Sequence, residues 1–108
     1  MAEGDTRWHL VARLDELAAT RKRVCHVEGR ELLLVKSGSE VLAVDNHCTH
    51  LGESLERGRV MSGQITCPFH GACFDLRTGE ALSGPAVRPL RCYPVRLEGD
   101  ELRVQLLD

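Results

Sequence analysis

The sequence has no long apolar run, no excess of basic charge and no even set of cysteines. Its longest unbroken apolar runs, Leu32 to Val35 and Val41 to Val44, have four residues each, whereas a membrane-spanning helix needs about 20. Lys and Arg number 14 against 16 Asp and Glu, so the net charge of −2 lacks the basic field that holds nucleic acid or an anionic membrane. We therefore expect no nucleic-acid or membrane partner. Without a signal-peptide pattern, we expect a cytoplasmic protein.

The chain has five cysteines among 108 residues. An odd number in a chain without an export signal argues against a full disulfide framework and favours metal binding or free thiols. The length fits a single domain.

Short strands joined by turns dominate the pattern. Gly recurs with Asn, Asp and Ser at short intervals, which predicts an all-β fold. Residues 13–19 read as a short connecting helix or turn, too short to be stable alone. Two hairpins are predicted, residues 22–27 with 31–36 and residues 91–97 with 101–107, turning at Gly29 and Gly99.

Gly, Pro, His and Cys concentrate between residues 46 and 88. Two short segments there each offer one thiolate and one imidazole, Cys48 with His50 and Cys67 with His70, and 16 residues separate His50 from Cys67. Residues two apart in extended backbone point the same way, so Cys48 and His50 can reach one site while His47 faces away from it. These four side chains are the candidate metal ligands.

A short hairpin predicted to turn at Ser62-Gly63 would bring the two segments side by side. Zinc binds two Cys and two His tetrahedrally, although its structural sites more often pair like ligands within one loop. A Rieske-type [2Fe–2S] cluster has two Cys on one iron and two His on the other, which suits one Cys and one His per segment. The residues favour the cluster but leave open zinc, or unrelated core cysteines and surface histidines.

The segments Cys48-Thr49-His50-Leu51-Gly52 and Cys67-Pro68-Phe69-His70-Gly71 resemble the paired C-x-H and C-x-x-H-G signature of Rieske proteins. The resemblance implies one [2Fe–2S] cluster per chain, held by Cys48, His50, Cys67 and His70. It also implies a Rieske-type antiparallel β-sandwich in a single domain, residues 1–108. Its cluster-binding subdomain, about residues 46–88, would be inserted in a β base made of residues 1–45 and 89–108.

Membrane-bound Rieske proteins carry two further cysteines that join their ligand loops in a disulfide, and here those positions are Glu53 and Phe69. The chain is therefore more similar to the soluble Rieske ferredoxins of bacterial ring-hydroxylating dioxygenase systems. That resemblance implies a non-catalytic one-electron carrier between an NAD(P)H-dependent ferredoxin reductase and a terminal oxygenase. The alternatives are the small Rieske-like subunit of an NADH-dependent nitrite reductase, or a redox-sensing or structural metal module.

The remaining cysteines and the second segment allow further expectations. Cys25 and Cys92 lie in strand patterns and are expected to be small core side chains, and Cys73 is expected to pack behind the second loop. Ala72 and Phe74 stand where high-potential Rieske proteins have Ser and Tyr hydroxyls that donate to the cluster. We therefore expect a reduction potential in the lower part of the Rieske range, about −150 to 0 mV.

We predict that replacing any one of Cys48, His50, Cys67 or His70 by Ala abolishes or severely destabilises the metal centre, because metal binding and the folding of its loops are coupled. Visible absorbance and iron content per chain measure the effect. Cys92→Ser is the matched control and should keep the cluster. Full occupancy in Cys67→Ala, or loss in Cys92→Ser, would contradict the ligand assignment.

Overall fold

A computed structural model describes residues 7–18, 21–49, 52–68, 71–83 and 88–106. These residues form eleven strands and one short helix, which confirms the all-β class. No helix among them is long and apolar enough to cross a membrane. The elements are β1 (Trp8–Arg13), α1 (Asp15–Ala18), β2 (Lys22–Val27), β3 (Arg30–Ser37), β4 (Glu40–Asp45), β5 (Arg59–Met61), β6 (Gln64–Thr66), β7 (Cys73–Asp75), β8 (Ala81–Ser83), β9 (Cys92–Tyr93), β10 (Val95–Glu98) and β11 (Glu101–Gln105).

The strands form three antiparallel sheets. A three-stranded sheet has the order β1-β11-β10, a central sheet has the order β2-β3-β4-β9, and a small sheet has the order β5-β6-β7-β8. The small sheet is a meander, because each strand pairs with the next one in the chain. The other two sheets combine strands from both ends of the chain, so residues near the C-terminus complete the layers that the first 45 residues begin.

Strand β3 is buried on both faces. Its apolar run alternates between two cores, because successive side chains of a strand point to opposite faces. Leu32 and Leu34 pack with residues of the three-stranded sheet, including Leu102, whereas Leu33 and Val35 belong to the core that contains the small sheet. This explains why β3 has a continuous apolar run where a half-exposed strand would alternate.

Two predicted hairpins turn where the sequence indicated. Glu28 and Gly29 connect β2 to β3, and Ser62 and Gly63 connect β5 to β6; all four residues have positive φ. Two-residue connections with both φ values positive are type I′ turns, whose twist matches that of the flanking strands. The short helix is also confirmed, as α1, within the predicted residues 13–19.

The prediction of one strand over residues 91–97 is wrong. The chain forms β9 and β10 on either side of Pro94, and these strands join different sheets: β9 pairs with β4, and β10 pairs with β11. Proline has no N–H to donate to a continuous ladder, so it suits the point where the chain leaves one sheet for another. The second predicted hairpin is therefore only β10 with β11, and its last predicted residue, 107, lies outside the described residues.

All four strands of the small sheet lie between residues 59 and 83. On this topology we propose, as the sequence suggests, that about residues 46–88 form a subdomain inserted in a β base. The two parts share one apolar core, because Leu33 and Val44 of the central sheet pack with Ile65 and Phe74 of the small sheet.

A close backbone contact joins Gly79, after β7, to Leu90, before β9. The Leu90 N–H donates to the Gly79 carbonyl at 2.6 Å. Gly79 has a φ of 81°, and a methyl group on it would lie 1.9 Å from the Leu90 carbonyl oxygen. Only glycine allows the two segments to approach this closely.

We predict that Gly79→Ala lowers the free energy of unfolding by about 3 kcal/mol or more, since it adds an unrelievable backbone clash to the cost of a left-handed alanine. Gly29→Ala is the matched control, because Gly29 has the same φ of 81° with nothing within 4 Å. It should cost only about 1 kcal/mol. Thermal and urea unfolding of both variants measure the difference, and equal losses would show that the Leu90 contact is unimportant.

Candidate metal centre

The first cysteine loop, residues 48–53, begins directly after the central sheet. The Cys48 N–H donates to the Glu53 carbonyl at 2.8 Å, and the Gly52 N–H donates to the Cys48 carbonyl at 2.8 Å. Gly52 has a φ of 79°, which a residue with a side chain rarely adopts. The loop is thus closed by its own backbone, and its cysteine lies at the start.

The second cysteine loop, residues 67–72, connects β6 to β7 and repeats this pattern. The Cys67 N–H donates to the Ala72 carbonyl at 2.7 Å, and the Gly71 N–H donates to the Cys67 carbonyl at 3.1 Å. Gly71 has a φ of 77°. The hydrogen-bond partners have the same spacing in both loops, so two loops from different parts of the fold present a cysteine in the same local geometry.

Both loop cysteines are buried. Cys48 is 2% exposed and Cys67 is 1% exposed, and they belong to the same apolar cluster as Leu33, Ile65 and Phe74. No disulfide joins any of the five cysteines, all of which lie in the described part. Two buried cysteines in one core can serve as two ligands of a single metal centre.

The candidate ligands His50 and His70 lie outside the described residues. Among the residues that are described, no three or more His, Cys, Asp or Glu side chains are grouped so as to hold a metal ion. A four-ligand site containing Cys48 and Cys67 would therefore draw its other two ligands from outside this part of the chain. The two buried thiols and the position of both histidines within the loops fit a group that needs two sulfur and two nitrogen ligands.

The other cysteines differ from the loop cysteines. Burial raises the pKa of Cys25 to about 11 and also raises the pKa of Cys92, so both thiols stay protonated and unreactive near neutral pH. Cys73 is half-exposed, and its Sγ lies 3.4 Å from Oε1 of Gln64, on the opposite face of β7 from the buried Phe74. The expectation that Cys73 packs behind the second loop is wrong, because strand alternation turns it outward.

The polar side chains on either side of Cys48 make hydrogen bonds that hold the first loop in place. The Thr49 hydroxyl donates to the Arg88 carbonyl at 2.8 Å, which joins the loop to the segment that precedes β9. His47 is exposed, and its Nδ1–H donates to the Gly52 carbonyl at 3.1 Å. The only sequence signal for these contacts is a polar residue on each side of Cys48; their partners are distant in sequence or are backbone groups.

Both the sequence and the fold match known proteins. Residues 7–94 match the Rieske [2Fe-2S] domain family. The ferredoxin component of the naphthalene 1,2-dioxygenase system of Pseudomonas aeruginosa is 39% identical over 80 residues, covering 74% of this chain and 77% of the relative. The solved ferredoxin of carbazole 1,9a-dioxygenase from Nocardioides aromaticivorans IC177 is similar with a TM-score of 0.85 at 36% identity, covering 92% of this chain and 97% of that chain.

A chain in the solved complex of reduced oxygenase and oxidised ferredoxin of carbazole 1,9a-dioxygenase is also similar, with a TM-score of 0.84 and 28% identity, covering 94% of this chain and 97% of that chain. The protein therefore belongs to the Rieske [2Fe-2S] domain family. Membership implies one [2Fe–2S] cluster in the domain.

We predict that Thr49→Val, which keeps the side-chain shape but removes the hydroxyl donor, accelerates loss of the cluster to a chelator by roughly fivefold. The hydrogen bond to Arg88 is worth about 1 kcal/mol, and its loss frees the loop to open. The rate of bleaching of the visible absorbance measures the effect. Thr49→Ser keeps the donor and should bleach at the wild-type rate; equal acceleration in both variants would contradict a role for the hydroxyl.

Proposed function

We propose that the protein is a one-electron carrier, the ferredoxin of a multicomponent ring-hydroxylating oxygenase system, with no catalytic activity of its own. The observation that supports this is a pair of buried cysteine loops closed by the same backbone hydrogen bonds. The fold that carries these loops matches 97% of the chain of a solved ferredoxin.

Cys48, His50, Cys67 and His70 are the proposed cluster ligands, with the two cysteines on one iron and the two histidines on the other. A bound cluster of this type accepts and releases a single electron. The apolar side chains around the two cysteines exclude water from that side of the site. The histidines are the proposed route by which the electron enters and leaves, because the cysteine side is enclosed by the core.

The proposed electron donor is an NAD(P)H-dependent ferredoxin reductase, and the proposed acceptor is a terminal oxygenase. Solved relatives include a complex of oxygenase with ferredoxin, which supports the acceptor. We place the protein in the cytoplasm, since cysteines without disulfides suit a reducing compartment. The proposed docking surface surrounds the histidines and consists of Leu51, Pro68, Phe69 and Pro85; Pro68 is exposed, and the other three lie outside the described residues.

The purified protein should show the visible spectrum of a Rieske cluster and, after reduction with dithionite, an electron paramagnetic resonance signal with the low average g value of mixed Cys and His ligation. Mixed anaerobically with a ring-hydroxylating oxygenase of the naphthalene or carbazole type, the reduced protein should be reoxidised. A colourless zinc protein, or a reduced cluster that such oxygenases do not reoxidise, would contradict the proposal.

Leu51→Asp should slow electron transfer to the oxygenase roughly tenfold when the oxygenase concentration is limiting. Electron-transfer interfaces are small, so a charge buried in the apolar docking surface weakens docking. The visible and electron paramagnetic resonance spectra should not change. Leu10→Asp is the matched control, since Leu10 is 54% exposed on β1 of the three-stranded sheet, and it should transfer at the wild-type rate. Equal rates for the two variants would move the docking surface elsewhere.

A further inference from the structure

A buried asparagine joins the first cysteine loop to the central sheet. Asn46 is 1% exposed. Its Nδ2 donates to Oε2 of Glu31 at 2.7 Å and to Oγ of Ser54 at 3.0 Å. Its backbone N–H donates to the Glu31 carbonyl, and its carbonyl accepts from the Leu55 N–H. One residue therefore connects β3 to both ends of the loop that contains Cys48.

The same contacts fix a carboxylate beside this loop. The hydrogen bond from Asn46 is the largest cause that lowers the pKa of Glu31, so this side chain is ionised near neutral pH. Two imidazoles flank it: Nε2 of His26 lies 3.4 Å from Oε1, and Nε2 of His47 lies 3.7 Å from Oε2.

Other charges share the surroundings of this carboxylate. Arg30, Asp45 and Arg91 line the same open groove as Glu31 and His47. The two arginines and Asp45 offset one another in part, so the local field depends on each charge that the groove contains. These other charges stay in place when Glu31 alone is neutralised. The difference in reduction potential between that variant and the wild type therefore reports the charge of Glu31.

An electron that arrives at a centre held by Cys48 adds negative charge two residues along the chain from Asn46, the residue that binds Glu31. A fixed negative charge nearby disfavours that addition, and the effect is stronger where water is partly excluded. We propose that Glu31, held in place by Asn46, is a positioned negative charge that lowers the reduction potential of the Rieske centre. The proposal deepens the proposed function and rests on Cys48 being one of the cluster ligands.

Glu31→Gln tests the charge with little change of shape, because the glutamine carbonyl can still accept the hydrogen bond from Asn46. Spectroelectrochemical titration of the cluster-loaded protein, with both proteins at the same fixed pH, should show a shift to a more positive potential than that of the wild type. The electron paramagnetic resonance and visible circular dichroism spectra should remain those of the wild type. The shift should shrink at high salt, because this carboxylate is partly exposed.

Glu98→Gln is the matched control. It makes the same charge change on β10, in the sheet that contains neither loop cysteine, and should leave the potential at the wild-type value. Asn46→Ala, which releases the Glu31 carboxylate, should shift the potential in the same direction as Glu31→Gln. The double variant Glu31→Gln with Asn46→Ala should then shift the potential no further than Glu31→Gln alone.

A Glu31→Gln protein with the wild-type potential, or an equal shift in Glu98→Gln, would overturn the proposal while leaving the electron-carrier function intact. A wild-type protein without a Rieske spectrum would instead overturn the proposed function, and this proposal with it. If Asn46→Ala loses its cluster, the comparison of Glu31→Gln with Glu98→Gln still decides the question.

Discussion

The burial of β3 on both faces is the constraint on which the rest of the structure depends. Leu32 and Leu34 hold the three-stranded sheet on one side of this strand, and Leu33 and Val35 contribute to the core of the small sheet on the other side. The central sheet contributes side chains to both cores, so both depend on it. The core that includes Leu33 also contains both loop cysteines, which links the metal centre directly to the packing of the fold.

The two cysteine loops show how a short backbone can hold a thiol inside such a core. In each loop the cysteine N–H and carbonyl are both bonded within the loop, so no backbone group of the buried cysteine has lost its partner. The glycines Gly52 and Gly71 supply the left-handed conformations that close the turns. The backbone of each loop thus holds its cysteine inside the core that both loops share.

Non-covalent contacts hold the first loop where some members of the family have a disulfide. Glu53 and Phe69 occupy the positions of the additional cysteines of the membrane-bound proteins. Here Thr49 connects the loop to Arg88, and Asn46 connects it to Glu31 and Ser54. Hydrogen bonds of this kind stabilise by about 1 kcal/mol each, so several are needed to restrain a loop.

The sequence by itself determined the all-β class, the hairpin turns at Gly29 and Gly63, and the family, because turn residues and the spacing of Cys and His are local patterns. It did not reveal that Pro94 divides one predicted strand between two sheets, that Cys73 faces outward, or that Asn46, two residues before Cys48, bonds to Glu31. Those features depend on which strands become neighbours. Sheet pairing brings together residues that are distant in the chain, and only the packing of β3 between two cores decides which ones meet.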